Sequence, residues 1–330
     1  MNTILLMILL EPDTYIYIVW GVLLSLTAVL VLAWMYYTNR RKLMWGLSAA
    51  MLLLWATFLY GSYVGVNKLE VKHVEVAFDD LPDAFDGYRI VQFSDVHIGT
   101  LTGWRHKLME RAIDSINAQN ADMVAFTGDL QNKVPDEIFA DTALLATINA
   151  KDGVYSVLGN HDYPMYLDSL DDMEKYMTLE KRMYIDENIG WRLMMNRYYR
   201  IRRGKQSIVI AGMENDGDGV KFPQHGDISY ALYGVTRDQF VVMLEHDPSS
   251  WKRKILPHSH TQLTLSGHTH GGQLSLFGWS LANLKYKENS GLYNVGERYL
   301  YVSDGLSGVV PFRIGAPAEI TVITLRKKQK

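Results

Sequence analysis

Cysteine is absent from this 330-residue chain, which excludes a disulfide scaffold, a thiolate metal site and a cysteine nucleophile together. An excess of charge is also missing, since 33 Lys+Arg against 36 Asp+Glu leave a formal net charge of −3. Affinity for a phosphate backbone scales with the number of basic contacts, so this balance gives no support to a polyanion binder with a broad basic face. Two stretches lack charge altogether. Tyr15 to Tyr37 and Leu43 to Val66 run 23 and 24 residues without a charged side chain. At about 1.5 Å per helical residue, either one covers a hydrocarbon core roughly 30 Å thick. Trp20, Trp34, Tyr36 and Tyr37 stand toward the ends, where interfacial anchors belong. Met1 to Leu10 has no Lys or Arg before it and is too short to span, so it does not read as a cleavable signal.

Between the two runs lies Thr38-Asn39-Arg40-Arg41-Lys42, whereas only Glu11 and Asp13 precede the first. The positive-inside rule makes that tight basic loop cytoplasmic. The second helix then runs outward, and everything after Val66 is expected on the extracytoplasmic face of a cell (inner) membrane, in a multi-pass protein. The expected organisation is an N-terminal segment over 1–14, membrane helices over 15–37 and 43–66 joined by the loop 38–42, a linker over 67–87, and one domain over 88–330. From Asn67 onward the chain holds 264 residues with 30 basic and 34 acidic side chains, the balance of an ordinary soluble domain. No repeat or low-complexity tract divides it.

Hydrophobic periodicity predicts α/β alternation. Strands are expected at Tyr88–Ser94, Asp122–Thr127 and Gly153–Leu158, and helices at Trp104–Gln119 and Asp136–Asn149. Later strands are expected at Ser207–Met213, Gln239–Glu245, Gln262–Ser266, Tyr299–Ser303 and Glu319–Leu325. The residues capable of chemistry follow directly on these strands. Ser94-Asp95-Val96-His97 follows the first, Thr127-Gly128-Asp129 the second and Gly159-Asn160-His161-Asp162 the third. Further on come Glu245-His246-Asp247-Pro248 and Gly267-His268-Thr269-His270-Gly271-Gly272-Gln273. Ligands of open α/β sheets bind outside the carboxyl ends of the strands, so five segments deliver Asp, His and Asn to one rim. Each piece alone reads equally as a turn: Gly-Asp is a common bend, and Asp-x-His merely puts two side chains on one side of an extended segment. Their joint occurrence points to a metal site. Oxygen and imidazole donors without sulfur favour Mn, Fe or Zn, with Mn preferred here.

The ordered set Asp95-x-His97, Gly128-Asp129, Gly159-Asn160-His161-Asp162, His246 and Gly267-His268-x-His270 resembles the signature of the calcineurin-like metallophosphoesterase family. The likeness covers about Tyr88 to Leu325. The longer strings Thr127-Gly128-Asp129-Leu130, Ser266-Gly267-His268-Thr269-His270-Gly271-Gly272-Gln273 and Arg313-Ile314-Gly315-Ala316-Pro317 look like its membrane-anchored bacterial phosphodiesterase branch, which includes hydrolases of UDP-2,3-diacylglucosamine. The resemblance implies a four-layer α-β-β-α sandwich, here preceded by two transmembrane helices, and a site for two divalent metal ions. By the same resemblance Asp95, His97 and His270 hold the first ion, Asn160, His246 and His268 hold the second, and Asp129 bridges them. His161 would protonate the leaving oxygen and Asp162 would orient its imidazole. Two such ions share an activated hydroxide that attacks a phosphate ester.

The implied protein is therefore a membrane-anchored, metal-dependent hydrolase of the phosphodiesterase type. A nucleotide-sugar-lipid pyrophosphate hydrolase and a non-catalytic metal-binding receptor or scaffold are the alternatives. Arg313 is a candidate for a substrate phosphate, against an equal expectation of a structural ion pair. His73, His106, His225, His258 and His260 are expected in solvent. The apolar run Leu274 to Leu281, with Phe277 and Trp279, reads either as a surface lying against lipid or as a buried strand and turn. A phosphodiester or pyrophosphate, possibly lipid-linked, is the expected partner, and nucleic acid is not.

Overall fold

The computed structural model describes residues 11–167, 169–219 and 222–329. Most of the segment expected over 1–14 therefore lies outside the described residues. Helix α1 (Pro12–Tyr36) starts with Pro in its first turn and Asp13 beside it, both favourable at a helix N-terminus. Helix α2 (Arg41–Leu59) returns antiparallel to it and continues through the helical turns Tyr60–Val64 and Gly65–Asn67. Both helices are long and apolar enough to cross a membrane, and only 11% of the most apolar window of each is buried. Core helices of a soluble domain would be covered. Instead Tyr17, Leu32, Leu52 and Leu53 point away from all other described residues. The two helices meet through Trp20 against Trp55, ring centroids 4.9 Å apart, and through Trp55 Nε1–H donating to Thr27 Oγ1.

The remaining chain builds two six-stranded mixed sheets and a small hairpin. One sheet has the order β1 (Leu69–Phe78), β14 (Ala318–Lys327), β2 (Arg89–Phe93), β3 (Met123–Phe126), β4 (Val154–Ser156), β5 (Arg192–Leu193). The other runs β12 (Gly291–Val295), β13 (Arg298–Val302), β9 (Leu263–Ser266), β8 (Phe240–Leu244), β7 (Gln206–Gly212), β6 (Arg197–Arg203). Strands β2, β3 and β4 are parallel to one another, as are β7, β8, β9 and β13. Their carboxyl ends thus point to the same edges.

Three apolar clusters explain the layering. One lies between the first sheet and α3 (His106–Ala118), where Leu108, Met109, Ala112, Ile113 and Ile116 recur at helical spacing toward Val91, Val124 and Ile320. A second fills the space between the sheets, with Ile90, Met123 and Ile323 facing Ile208, Val242 and Leu265. The third covers the outer face of the second sheet with Trp251 and Ile255 of a short helical segment. This is the expected four-layer order, with a thin fourth layer.

Several elements depart from expectation. The stretch 67–87 holds β1, which pairs with β14 over ten residues in register from Leu69↔Ala318 to Phe78↔Lys327. Its alternation slips at Lys72-His73: Leu69 and Val71 pack on the outer cluster, Val74, Val76 and Phe78 on the inner one. The period-2 signal is broken exactly where Lys72 turns inward to Asp304 and Glu319. The helix expected over Asp136–Asn149 is reduced to a 3₁₀ turn, Pro135–Asp141, and one α-turn, Thr142–Leu145. The chain there is held by Glu137, whose carboxylate accepts from the backbone N–H of Asn132 and Lys133. Helix α4 (Asp172–Asn188) escapes periodicity because it buries only Arg182, Ile185 and Asp186.

Candidate metal centre

The expected residues converge where the strands end. Asp95 and His97 follow β2, Asp129 follows β3, Asn160 and His161 open a 3₁₀ turn after β4, His246 follows β8, and His268 and His270 follow β9. Five of them, Asp95, His97, Asp129, His268 and His270, have φ between +42° and +74°, the left-handed region that non-glycine residues avoid. Each such residue costs on the order of 1–3 kcal/mol, a strain that persists where function requires the geometry. Glycine permits the close approaches: a Cβ at Gly159 would lie 2.2 Å from Asp129 Oδ1, and one at Gly267 would lie 2.3 Å from Asp95 Oδ2.

Asp129 stands at the middle. Its Oδ2 lies 3.5 Å from His97 Nε2 and 3.2 Å from His246 Nε2. His246 Nε2 is also 3.2 Å from Asn160 Oδ1 and 3.2 Å from His268 Nδ1. On the other side His270 Nε2 is 3.7 Å from Asp95 Oδ1. Asp95, His97 and His270 form one group able to hold a cation, and Asp129, His246 and His268 form another, with ligand atoms within 4.8 Å of one another in each.

The outer contacts fix which atom of each side chain faces inward. His246 Nδ1 lies 2.7 Å from the Thr127 carbonyl, which only accepts, so Nδ1 carries hydrogen and Nε2 presents a lone pair when the ring is neutral. His270 Nδ1 is held likewise by the Ser307 carbonyl at 3.1 Å. Asn160 donates through Nδ2 to Tyr166 Oη at 2.7 Å, turning its Oδ1 toward His246. His268 Nε2 lies 2.7 Å from Tyr286 Oη and 3.5 Å from Asp247 Oδ2, leaving Nδ1 inward. Lone pairs of Asp129, His246, Asn160 and His268 therefore point at one another. Such a convergence is repulsive unless positive charge sits between them, and the donor types suit a divalent cation. His97 strengthens the fit: it is fully buried, and neither ring nitrogen has a partner in hydrogen-bond geometry among the described residues.

The electrostatics carry the same mark. Burial pulls His246 down, yet the Asp129 carboxylate outweighs it and holds the imidazole up to about 10. Burial, reinforced by neighbouring imidazoles, pushes His97 down to about 3 and His268 to about 4. Burial lifts Asp95 to about 7 against the pull of His246. A proton on His246 takes the place where the surrounding groups call for a cation.

Two expectations are corrected here. Asp162 does not touch the His161 ring. Its Oδ2 accepts from the backbone N–H of Asp129 (2.8 Å) and Gly159 (2.9 Å), and its Oδ1 from Leu130 N (3.2 Å) and Arg182 Nε (2.7 Å). A carboxylate saturated by fixed donors ties two of the strand-end loops together and has no lone pair to spare for an imidazole. His161 is held instead by the Asn132 carbonyl, 2.6 Å from Nδ1, while its backbone N–H donates to Asp129 Oδ1. Arg313 likewise does not face the site. Nη1 donates to the carbonyls of Ala316 and Pro317, and Nη2 to those of Asp304 and Ser307, which uses the guanidinium as a loop clasp. Its fork geometry matched carbonyls rather than a phosphate.

Of the remaining histidines, His73, His225 and His258 are exposed as expected. His106 is not free: Nε2 lies 2.7 Å from Asp141 Oδ1, and its pKa is raised by that bond. His260 Nε2 sits against the Gln239 carbonyl. Tyr166, Tyr286 and Asp247, which orient the inward groups, escaped sequence reasoning. Tyr-6-residues-on from Asn160 carries no motif signal; Asp247 adjoins His246 and was visible only as part of its string.

Comparison with known proteins agrees with the geometry. A protein of Danio rerio named transmembrane protein with metallophosphoesterase domain is 31% identical over 276 residues, covering 82% of this chain and 60% of that one. Its namesake in Bos taurus is 29% identical over 263 residues, covering 78% and 57%. An uncharacterized metallophosphoesterase of Bacillus subtilis (strain 168) is 29% identical over 301 residues, covering 87% and 98%. The chain thus spans somewhat more than half the length of the two vertebrate relatives, and the likeness is not confined to bacteria. Residues 88–272, the stretch that carries all seven expected metal ligands, match the calcineurin-like phosphoesterase family, and the chain belongs to that family.

Proposed function

We propose that the protein is a membrane-anchored, two-metal phosphodiesterase. The observation that carries this reading is the set of inward lone pairs around Asp129, which calls for cations among the loops that follow the parallel strands. Asp95, His97 and His270 would hold one divalent ion, Asn160, His246 and His268 the other, and Asp129 would reach both. Bound there, the ions would supply Lewis-acid charge for phosphoryl oxygens and lower the pKa of water so that a nucleophile exists near neutral pH. Mn, Fe and Zn all suit this donor set.

The chain's own groups supply orientation and proton transfer. Because the Asn132 carbonyl can only accept, His161 keeps hydrogen on Nδ1, so the second proton of its imidazolium form would sit on Nε2 and be the one passed to the departing ester oxygen, leaving the neutral ring. The bond from its backbone N–H to Asp129 Oδ1 couples the position of that acid to the central carboxylate. Asp162 acts one step further out, holding the left-handed Asp129 backbone against the extended Gly159 backbone.

The apolar helices α1 and α2 support a seat at a bilayer, as do the names of the vertebrate relatives. The ends of both helices opposite the loop Thr38–Lys42 meet the domain, as in Arg105 Nη2 against Asp13 Oδ1 at 2.9 Å. With that basic loop in the cytoplasm, the metal centre lies outside it. Phosphatase reporters fused in the loop and after Val66 test the orientation; activity from the loop fusion alone reverses it.

Hydrolysis of bis-p-nitrophenyl phosphate and of p-nitrophenyl phosphate by the full chain in detergent, with Mn, Zn or chelator, tests the activity. Metal-dependent turnover favouring the diester is expected, lost in Asp129→Ala and reduced about 10²–10⁴-fold in His161→Ala. Preference for the monoester, or turnover untouched by chelator, contradicts the proposal.

A further inference from the structure

Beside the metal centre, on the side of the helices, lies a cleft of about 460 Å³. Ile16 and Leu23 of α1 form one wall, Leu54 and Phe58 of α2 the second, and Leu274 and Phe312 of the domain the third. That volume falls within the roughly 300–1,000 Å³ of small-molecule sites. Its walls are nearly all hydrocarbon. We propose that this cleft receives the hydrocarbon chain of a lipid phosphoester whose phosphate reaches the metal centre; the proposal rests on the phosphodiesterase reading above and names the substrate class for it.

Three observations select that occupant. The cleft adjoins the loop that carries a candidate metal ligand, because Gly272 and Gln273 line it and follow His270 by two and three residues. Cα atoms two residues apart lie no more than about 7.6 Å from each other. The rest of the domain wall is fastened to the same loop: Gln273 Nε2 donates to the carbonyls of Val310 and Phe312, and His270 Nδ1 to that of Ser307. A chain seated in the cleft would thus have one end within reach of the loop that bears His270.

Next, two of the three walls belong to the helices that meet lipid. An apolar cleft opening between them is filled from a hydrocarbon medium, where water finds no partners. The domain side continues that surface. In the hairpin of β10 (Ser275–Leu276) and β11 (Trp279–Ser280), Leu276 and Trp279 are each 53% exposed and Phe277 is wholly exposed at the tip. The expected alternative for this stretch, a buried strand and turn, is thereby set aside. Exposed aromatic and aliphatic side chains beside apolar helices suit the acyl region of a bilayer.

Finally, the cleft has one polar mark in the right place. Ser62, past the domain end of α2, lines it, is 1% exposed, and its Oγ has no hydrogen-bond partner among the described residues. A buried hydroxyl without a partner is costly. The oxygen-bearing end of a lipid chain would supply one. The close seat of α2 on the domain is built for this site: the Arg313 backbone N–H donates to the Gly61 carbonyl, and a Cβ at Gly65 would meet the Arg313 carbonyl oxygen at 1.8 Å.

The test uses the full chain in phosphatidylcholine nanodiscs and dodecyl phosphate carrying a diazirine at mid-chain. Photolabelling followed by peptide mass spectrometry is expected on Leu54, Phe58, Leu274 or Phe312. Dodecyl phosphate should displace the label at least about tenfold more readily than dodecanol, and Val19→Trp with Thr57→Trp, which narrow the mouth, should lower labelling at least about fivefold. Label confined to the outer faces at Leu32 or Leu52, or displaced equally by dodecanol, overturns the proposal and leaves only annular lipid. Hydrolysis of bis-p-nitrophenyl phosphate is measured on the same sample. Correct labelling with no hydrolysis by any metal-loaded sample sinks the phosphodiesterase reading and upholds a lipid-phosphate site; hydrolysis without cleft labelling does the reverse.

Discussion

Replacing Asp162 by Asn separates a structural tie from a catalytic one. The carboxylate is buried and accepts from Asp129 N and Gly159 N at one oxygen, and from Leu130 N and Arg182 Nε at the other. Asn offers one acceptor oxygen and one NH₂, so whichever oxygen is replaced, a donor then faces two donors. Arg182, fully buried, keeps only Asp186 as a charged partner, at 2.6 Å. Breaking a buried ion pair by removing one partner costs about 3–5 kcal/mol, and unpaired buried donors act in the same direction. With a urea m-value of about 3 kcal/mol/M, the unfolding midpoint falls by roughly 1–1.7 M. The assay is urea unfolding of the full chain in detergent micelles, followed by tryptophan emission. Divalent-cation affinity should fall about 10–100-fold as the loops bearing Asp129 and Asn160 loosen. An Asp162→Asn protein within about 1 kcal/mol of wild type, with metal affinity intact but a displaced pH–rate profile, would refute this and return Asp162 to the His161 imidazole.

Other perturbations follow from the same geometry. Chelating metal should destabilise the fold, since the strained residues lose the charge that holds them; saturation at about 100 times the dissociation constant adds about 2.7 kcal/mol. That corresponds to a Tm difference of roughly 5–10 °C between loaded and chelated protein in a thermal scan. Arg313→Met should lower stability by about 2–4 kcal/mol in the urea assay, because several carbonyls lose their donor, while KM for the diester changes less than about threefold; a tenfold rise in KM at unchanged stability reverses the assignment. His106 has its pKa raised by Asp141, so its charge contributes stability fully below the ordinary histidine value near 6.5 and loses it as pH rises through the raised folded value. For so exposed a pair the effect is a few tenths of a kcal/mol. His106→Gln should therefore cost stability at pH 5.5 and very little at pH 9; an equal loss at both excludes the charge.

The site was legible in the sequence because its chemistry is local. Each pair such as Asp95-x-His97 or His268-x-His270 sits on one tight loop directly after a short strand rich in buried apolar residues, so composition, turn residues and order all coincide. The strands β2, β3, β4, β8 and β9 were readable for the same reason, to within a residue or two at each end. What remained hidden depends on contacts far apart in the chain. β1 exists because it pairs with the C-terminal strand more than 240 residues away, and Lys72 breaks its alternation to reach Glu319. β6, Arg197-Tyr198-Tyr199-Arg200-Ile201-Arg202-Arg203, is an edge strand whose charges mask its single buried Ile201. The roles of Asp162 and Arg313 were misread because a motif names a residue and says nothing of what surrounds it; backbone amides and Arg182 claimed the first, and backbone carbonyls took both Nη groups of the second.

Metal stoichiometry measured together with turnover tests the central claim most directly. The full chain in detergent is stripped with chelator, titrated with Mn, and assayed at each point for bound metal by mass spectrometry and for hydrolysis of bis-p-nitrophenyl phosphate. The account predicts two ions per chain, turnover that rises only as the second site fills, and loss of both in Asp129→Ala. Saturation at one ion or none, or full turnover in the stripped protein, would contradict it.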